Sequence, residues 1–487
     1  MTVHLFGAAS SPGCANYALK RTADDNEDQL GTKAADTLRR NFYVDDSLKS
    51  TPTVDETVGL VKDVQEMCCK GGFNLTKFIS NSVEVNQSIP LKDRAKNIKE
   101  LELGQDRLPI ERTLGVLWCV ESDSLKFRIE LKDVPCTRRG ILSTISSVYD
   151  PLGLIAPVIL VGKRILQDVC RGSDWDVPIS DDLYSRWEKW RNELHLLEQL
   201  AVPRSFKPRD FGKVVSKQLH SLSDASKIGY GQASYLRLTD ENGRIHCSFV
   251  AGKARVTPQK TVCIPRLELA AATISVRVAE MLKCELDYED VDDFYWTDSE
   301  VVLGFINNES KRFHVYVANR VQLIRDHTAP EKWKHVATAA NSADEASRGM
   351  TAKAFLEKSK WITGPDFLWQ TEDNWPKQRV EQRELEEGNP EVKKVKARAS
   401  SVREVGMLKR LERFSSWVRA KLAIANCIRY VRKLKERVKN GSSTPSPISV
   451  NDLKNAEVVI IKWMQHDAYS EEIELLQQIQ VTNDLKD

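Results

Sequence analysis

Leu222-Ser-Asp-Ala-Ser226 and, further along, Phe294-Tyr-Trp-Thr-Asp298 are the stretches on which the reading of this chain turns. Each is a run of strand-forming residues that ends on a carboxylate. Around the first, Leu219 to Ala225, Gln232 to Leu238 and Ile245 to Ala251 read as three short strands. The last two are joined by Thr239-Asp-Glu-Asn-Gly243, whose Asp, Asn and Gly suit a tight turn. Apolar residues at helical spacing predict a long amphipathic helix from Arg266 to Lys283. Phe294 to Asp298 is then a fourth strand, Lys332 to Val336 a fifth, and Asn341-Ser-Ala-Asp344 opens a further helix. The expected fold is α/β and α+β in several domains, with a mixed sheet and flanking helices at its centre.

The carboxylates fall where such a sheet would gather them. Asp224 lies where the first strand passes into a turn, and Asp298 ends the fourth. Glu268 sits one helical turn after Pro265, and Asp344 begins the last helix. Two-metal phosphoryl chemistry requires acids from separate elements to converge on ions roughly 3.5–4 Å apart, one ion activating water and the other stabilising the leaving oxygen. The bland alternative is four solvated caps at element ends. An ordered set on matching elements favours the site. Three antiparallel strands, helix, strand, helix, strand, helix is also the ribonuclease H order.

A second acidic block, Tyr43-Val-Asp-Asp46, stands in the apolar-flanked run Asn41 to Leu48 and predicts a hairpin with Asp45 and Asp46 at its tip. Before it, Cys14 to Ala23 and Ala35 to Arg40 read as helical. After it come a helix from Glu56 to Lys70, stopped by Gly71-Gly72, and a strand from Phe73 to Phe78. Thr113 to Cys119 and Lys126 to Leu131 look like a β-pair. Arg138 to Arg191 is mostly helical, broken at Asp150-Pro-Leu-Gly153. Pro376 to Ser401 is charged and poor in aromatics, as a linker would be. Leu408 to Val438 forms an amphipathic basic helix, read as packing its apolar stripe, and Ser449-Val-Asn-Asp452 looks like a capping box. The expected domains are 1–130, 131–201, 202–350, 351–400 (a charged linker) and 401–487.

Composition is permissive. The chain has 487 residues, 41% apolar and 29% charged, with a net charge of only +3. The charge is unevenly spread: residues 391–440 hold sixteen Lys/Arg against four Asp/Glu. Ten scattered cysteines show no Cys-x-x-Cys pair and no zinc spacing, which suits a reducing, intracellular setting, cytoplasmic (in a virus-like particle) or nuclear. No signal peptide is read at the start, and no apolar run is long enough to span a bilayer.

Several segments are similar to BEL/Pao-type LTR retrotransposon Pol polyproteins. These are Phe6-Gly-Ala-Ala-Ser-Ser-Pro12, Ser147-Val-Tyr-Asp-Pro-Leu-Gly-Leu154, Leu222 to Ser226, Ile264-Pro-Arg-Leu-Glu-Leu269, Trp296-Thr-Asp-Ser299, Asn341-Ser-Ala-Asp-Glu-Ala-Ser-Arg-Gly349 and Trp361-Ile-Thr-Gly-Pro365. The resemblance runs from the first residue to about 485. It implies a partial reverse-transcriptase palm, a helical connection, a ribonuclease H-like domain and a helical pre-integrase tail. It further implies that Asp224, Glu268, Asp298 and Asp344 bind two Mg²⁺ or Mn²⁺ ions and cut RNA in RNA·DNA hybrids. Asp45 and Asp46 match the family's metal-binding hairpin acids, and Lys77 resembles the lysine near the incoming triphosphate. Leu114-Gly-Val-Leu-Trp118 resembles the hairpin that grips the primer end, giving Leu114, Gly115 and Trp118 as contacts. His335 sits inside a strand, so it is read as structural rather than as a mobile product-release histidine.

The polymerase set lacks a third acid and the nucleotide-binding fingers, and nothing before Met1 supplies them, so no DNA polymerisation is expected of this chain. Its partners would be the hybrid and the rest of Pol (the missing palm and fingers, and integrase), with no membrane. The segment carries a peptidase label in this family, yet neither Asp-Thr-Gly nor Asp-Ser-Gly occurs. The reading is a Pol fragment with ribonuclease H chemistry. The alternatives are an inert remnant that binds nucleic acid or a partner, and a peptidase by label alone.

Overall fold

The computed structural model describes residues 9–99, 109–113, 116–172, 174–286, 288, 290–378, 385, 388–393, 407–440 and 447–472. The chain divides into two compact units, residues 1–303 with 332–382, and residues 304–331 with 383–487. All ten cysteines are free thiols. Among the described residues no helix is long and apolar enough to cross a membrane.

The first unit begins with helices α1 (Ser11–Leu30) and α2 (Thr32–Arg40), a two-stranded hairpin β1 (Phe42–Tyr43) and β2 (Asp46–Ser47), and helix α3 (Val54–Lys70). Leu19, Ala23, Ala35, Leu38, Val64 and Met67 form the small core of the three helices. Thr53 caps α3 by accepting from the Glu56 N–H at 3.2 Å, which starts the helix two residues before the expected Glu56. The strand expected at Phe73 to Phe78 is not formed. Its backbone groups are taken instead by neighbours: Leu75 O accepts from Gln65 Nε2, while Phe78 exchanges bonds with Asp93 and Ala95. Short helices α4 (Val83–Ser88) and α5 (Lys96–Lys99) follow.

Next comes a four-stranded antiparallel sheet: β3 (Ile110–Thr113), β4 (Val116–Cys119), β5 (Ser124–Lys126) and β6 (Ala201–Pro203), in that order. The expected single strand from Thr113 to Cys119 is therefore two. Phe127 and Ile129 leave the ladder to enter the core, so the second expected strand stops at Lys126. Val202 pairs with Leu125 in this sheet rather than opening the next one.

Helices α6 (Arg138–Ser147), α7 (Ala156–Val169) and α8 (Asp181–Glu193) are not a separate module. Ile141, Ile155, Leu160, Trp187 and Trp190 share one core with Leu222, Tyr235, Trp296 and Trp361 of the following domain. The break between α6 and α7 is built for that junction. Asp150 accepts from the Leu154 and Ile155 N–H groups and fixes the turn that leads into α7, while Gly153, at φ +76°, brings the loop against the sheet. A side chain at Gly153 would meet Gly252 O at 2.0 Å. Gly252 N–H donates to Leu152 O and Trp361 Nε1 to Gly153 O, so the loop is stitched from two sides.

The central sheet has five strands in the order β11-β10-β7-β8-β9: β7 (Val214–Ala225), β8 (Gly229–Asp240), β9 (Ile245–Val256), β10 (Asp292–Thr297) and β11 (Trp333–His335). The first three are antiparallel; β10 runs parallel to β7 and to β11. Side chains alternate across a sheet. Ala233 and Tyr235 thus face the core shared with α7 and α12 (Ala343–Arg348), while Leu236 and Leu238 face the side on which α9 (Ile264–Glu285) lies. Helix α10 (Glu300–Asn307) follows β10 in the chain.

The expected linker from residue 351 is largely core. Helix α13 (Ala352–Lys358), Trp361, Phe367, Leu368 and Trp375 are packed against the sheet. The buried Arg237 guanidinium holds this stretch by donating to Leu368 O at 2.9 Å and Gln370 O at 2.7 Å. Four of the five aromatic rings in the stretch, Phe355, Trp361, Phe367 and Trp375, are buried and outweigh its charged residues.

In the second unit, helix α11 (Val315–His327) is preceded by a strand-like bridge between Phe313 and Val392, so residues 391–393 of the expected linker are paired as well. The expected helix from Leu408 to Val438 is two, α14 (Met407–Leu411) and α15 (Trp417–Asn440). Ile424 and Ala425 pack on Ala456 and Ile460 of α16 (Val450–Ala468), whereas Val418, Val431 and Leu434 of the same stripe are exposed. The Ser449–Asp452 capping box is present at the start of α16.

Candidate functional site

Strand register brings the first two acids together. Ser223 of β7 lies opposite Thr297 of the parallel β10, so Asp224 and Asp298 emerge side by side at the carboxyl ends of the two strands. Strand ends of this kind are where ligands collect in α/β sheets. Helix α12 packs across β7 and β8 and carries Asp344 at its second position. Glu268, one turn into α9, is joined to the end of β10 by Ser299, whose Oγ donates to Glu268 Oε2 at 2.6 Å.

Each carboxylate is held differently. Asp298 Oδ2 accepts from Thr338 Oγ1 at 2.7 Å, and its Oδ1 from Asn341 Nδ2 at 3.4 Å. The same Asn341 amide donates to Ser223 O at 3.1 Å, tying the segment before α12 to β7. Asp344 Oδ1 accepts from Arg348 Nε at 2.6 Å. Asp224 is 5% exposed, and its Oδ2 is buried with no hydrogen-bond partner.

Electrostatics follow from that packing. Burial, then the nearby charges of Asp298 and Asp344, push the Asp224 carboxyl up to about 7, against a hydrogen bond from Ser347 that favours ionisation. Burial raises Glu268 too, aided by Asp298 and opposed by the Ser299 hydroxyl. Like charges close to a buried carboxyl raise its proton affinity. Among the described residues no group of three or more His, Cys, Asp or Glu side chains closes into a cage for a metal ion. The donor set still fits a hard divalent cation: the acids are oxygen ligands only, and the orphaned Asp224 Oδ2 lacks a positive partner.

Ser299, Thr338 and Asn341 were not singled out from the sequence. Their signal was position, each lying next to or just before a candidate acid. His335 lies in β11, where its backbone N–H donates to Gln378 Oε1 at 2.7 Å.

The second acidic block is arranged otherwise. Val44 and Asp45 form the hairpin turn, Val44 at φ +57°, and Asp45 and Asp46 are exposed. Lys77 is exposed at φ +64°. Trp118 is buried, and its Nε1 donates to Asp123 Oδ1 at 2.9 Å, beside the Arg204 guanidinium. Its ring is thus packed against its own sheet's ion pair. Leu114 and Gly115 lie outside the described residues. Among those described, no hydrogen bond or ion pair joins Asp45 or Asp46 to Lys77 or Trp118.

A mixed five-stranded sheet with this strand order, flanked by α9 and α12 and with acids at one end, defines a ribonuclease H-like domain. In sequence, residues 137–299 match the Pao retrotransposon-like RNaseH-like domain. The match includes α6 to α8, which share the sheet's core, and three of the four acids; Asp344 lies beyond it. No curated protein matches the chain.

Solved structures similar to it include a foamy viral protease-reverse transcriptase in complex with double-stranded DNA, at 12% identity and TM-score 0.37, covering 65% of this chain and 48% of that one. RNase H1 from Halobacterium salinarum NRC-1 is another, at 14% identity and TM-score 0.19, covering 27% and 93%. A third is LC11-RNase H1 in complex with an RNA/DNA hybrid, at 13% identity and TM-score 0.18, covering 29% and 99%. The chain therefore spans about half the length of the foamy viral protein, 48%.

Proposed function

We propose that this chain is a retrotransposon Pol fragment whose ribonuclease H-like domain hydrolyses the RNA strand of RNA·DNA hybrids, with Asp224, Glu268, Asp298 and Asp344 holding two Mg²⁺ or Mn²⁺ ions. The observation that carries the reading is Asp224, a buried carboxylate with an unpartnered oxygen, set in the field of Asp298 and Asp344. Burying a carboxylate without a partner is expensive, and a bound cation removes that penalty. When bound, two ions supply an activated water and a stabilised leaving oxygen.

The protein's own residues do the positioning. Ser299 orients Glu268, while Thr338 and Asn341 orient Asp298, and such supports set ligand geometry and basicity. The parallel pairing of β7 and β10 fixes the separation of Asp224 and Asp298 more rigidly than a loop could. The part before residue 131 we read as reverse-transcriptase palm, with Asp45 and Asp46 on its hairpin, and the helices after residue 401 as a pre-integrase tail. The hairpin itself supports the first assignment.

The test is a substrate panel: labelled RNA·DNA hybrid, double-stranded RNA and double-stranded DNA incubated with the purified chain in Mg²⁺ or Mn²⁺. Cutting confined to the RNA strand of the hybrid and abolished by chelation is the expected result. A folded chain that cuts none of them would leave the inert-remnant reading, and cutting of all three would overturn selectivity for the RNA strand of a hybrid.

A further inference from the structure

We infer that Arg348 is a resident counter-cation of the acid cluster, a side chain that a divalent ion must displace from Asp344 in order to bind. The inference rests on the metal-binding reading of the four acids and adds to it a residue that sets ion affinity.

Among the described residues, Arg348 is the cation that pairs with one of the four acids: its Nε donates to Asp344 Oδ1 at 2.6 Å. The other acids are met by neutral donors, Ser299 on Glu268 and Thr338 with Asn341 on Asp298, or by none at all, as at Asp224 Oδ2. The guanidinium also lies in the electrostatic reach of Asp224 and Asp298. One positive charge thus serves three carboxylates.

The backbone beneath it is fixed while the side chain is not. Arg348 is the last residue of α12, one turn after Asp344. Gly349 ends the helix at φ +77°, its N–H on Glu345 O at 2.9 Å, and a side chain there would meet Val161 at 2.9 Å. Met350 N–H donates to Pro157 O, and Ser226 Oγ to Ser347 O at 2.7 Å. The helix end is therefore pinned to α7 and to the β7–β8 turn. By contrast the Arg348 side chain is 61% exposed and can swing into solvent without disturbing a packed neighbour. An exposed ion pair of this kind is weak, so an incoming ion outcompetes it at modest expense. Arg348 limits repulsion among the acids when no ion is bound, and in return it lowers their apparent affinity for one.

The experiment is calorimetric titration of Mn²⁺ into the full chain, for the wild type, Arg348→Gln, Arg348→Lys and Asp298→Asn, together with melting curves with and without Mn²⁺. Arg348→Gln is expected to bind Mn²⁺ roughly two- to fivefold more tightly, the range an exposed ion pair supports, and Arg348→Lys to stay near wild type. Arg348→Gln should melt below wild type without ions and close that gap at saturating Mn²⁺; a purely structural role would leave the gap open in both. Equal or weaker binding by Arg348→Gln, with wild type binding and Asp298→Asn not, overturns the inference alone. No Mn²⁺ binding by any variant overturns the metal-site reading along with it.

Discussion

The chain contains two acidic blocks that look equally deliberate as sequence and that the fold treats in opposite ways. Asp224 and Asp298 end adjacent parallel strands, Thr338 and Asn341 donate to Asp298 and Ser299 to the neighbouring Glu268, and burial together with the charge of Asp298 holds the Asp224 carboxyl up. Asp45 and Asp46 stand on a two-residue-a-strand hairpin beside Tyr43 and Val44, which are 68% and 64% exposed. A motif places acids in sequence; a sheet with covered faces turns them into a site. Electrostatic work of the kind metal binding needs is possible where water is excluded, and the hairpin excludes none.

The comparison can be broken first through stability. Trp361 is fully buried and donates to Gly153 O, so Trp361→Ala should cost about 3–5 kcal/mol in urea unfolding. Tyr43→Ala at the hairpin should stay within about 0.5 kcal/mol. Equal effects would mean that the two regions do not differ in packing as described.

A second, smaller effect is pH linkage. The Asp224 carboxyl is held up to about 7, above the roughly 3.9 of an unfolded chain. Between those values the folded protein keeps a proton that the unfolded one has lost, so the contribution of Asp224 to stability is lost as pH rises through that window. In the absence of divalent ions, the unfolding free energy of wild type relative to Asp224→Asn should fall by up to about 1.4 kcal/mol per pH unit from pH ~4 to ~7. A flat difference over that range would contradict the buried-cluster geometry.

The smallest effect sharpens the contrast from the other side. Thr53→Ala removes the cap of α3 and should destabilise that helix by about 1 kcal/mol, read as faster amide exchange in Val54–Lys70. Hybrid cleavage by the domain that holds Asp224 should be unchanged. Loss of cleavage would show that the N-terminal helices support the site.

Alternation and turn residues made β7, β8 and β9 legible, and helical spacing made α9 so, each extending a few residues beyond its expected ends. The candidate acids stood out because Asp224 and Asp298 fall at strand ends and Glu268 and Asp344 near the starts of helices. What could not be read depended on long-range partners. Phe73 to Phe78 has the alternation of a strand, but its backbone is claimed by Gln65, Asp93 and Ala95. Residues 351–378 look polar, yet their few aromatics fill the core beneath a buried Arg237. Trp118 shows the same limit: its place in a hairpin motif says nothing of Asp123, which engages its indole. Ser299 and Thr338 carry no signal beyond their position, since hydroxyls are common and only the fold puts these two on carboxylates.

Whether the quartet around Asp224 is a working two-ion site is decided by single-turnover cleavage of a labelled RNA·DNA hybrid with wild type, Asp298→Asn and Asp45→Asn at equal folded concentration. Metal-dependent cleavage is expected to fall by at least about 100-fold in Asp298→Asn, beyond the usual cost of losing a supporting group around a metal ligand, with Asp45→Asn within about twofold of wild type, as for a surface change outside the site. Cleavage that survives Asp298→Asn, or that is lost in Asp45→Asn instead, would contradict a two-ion site at the quartet.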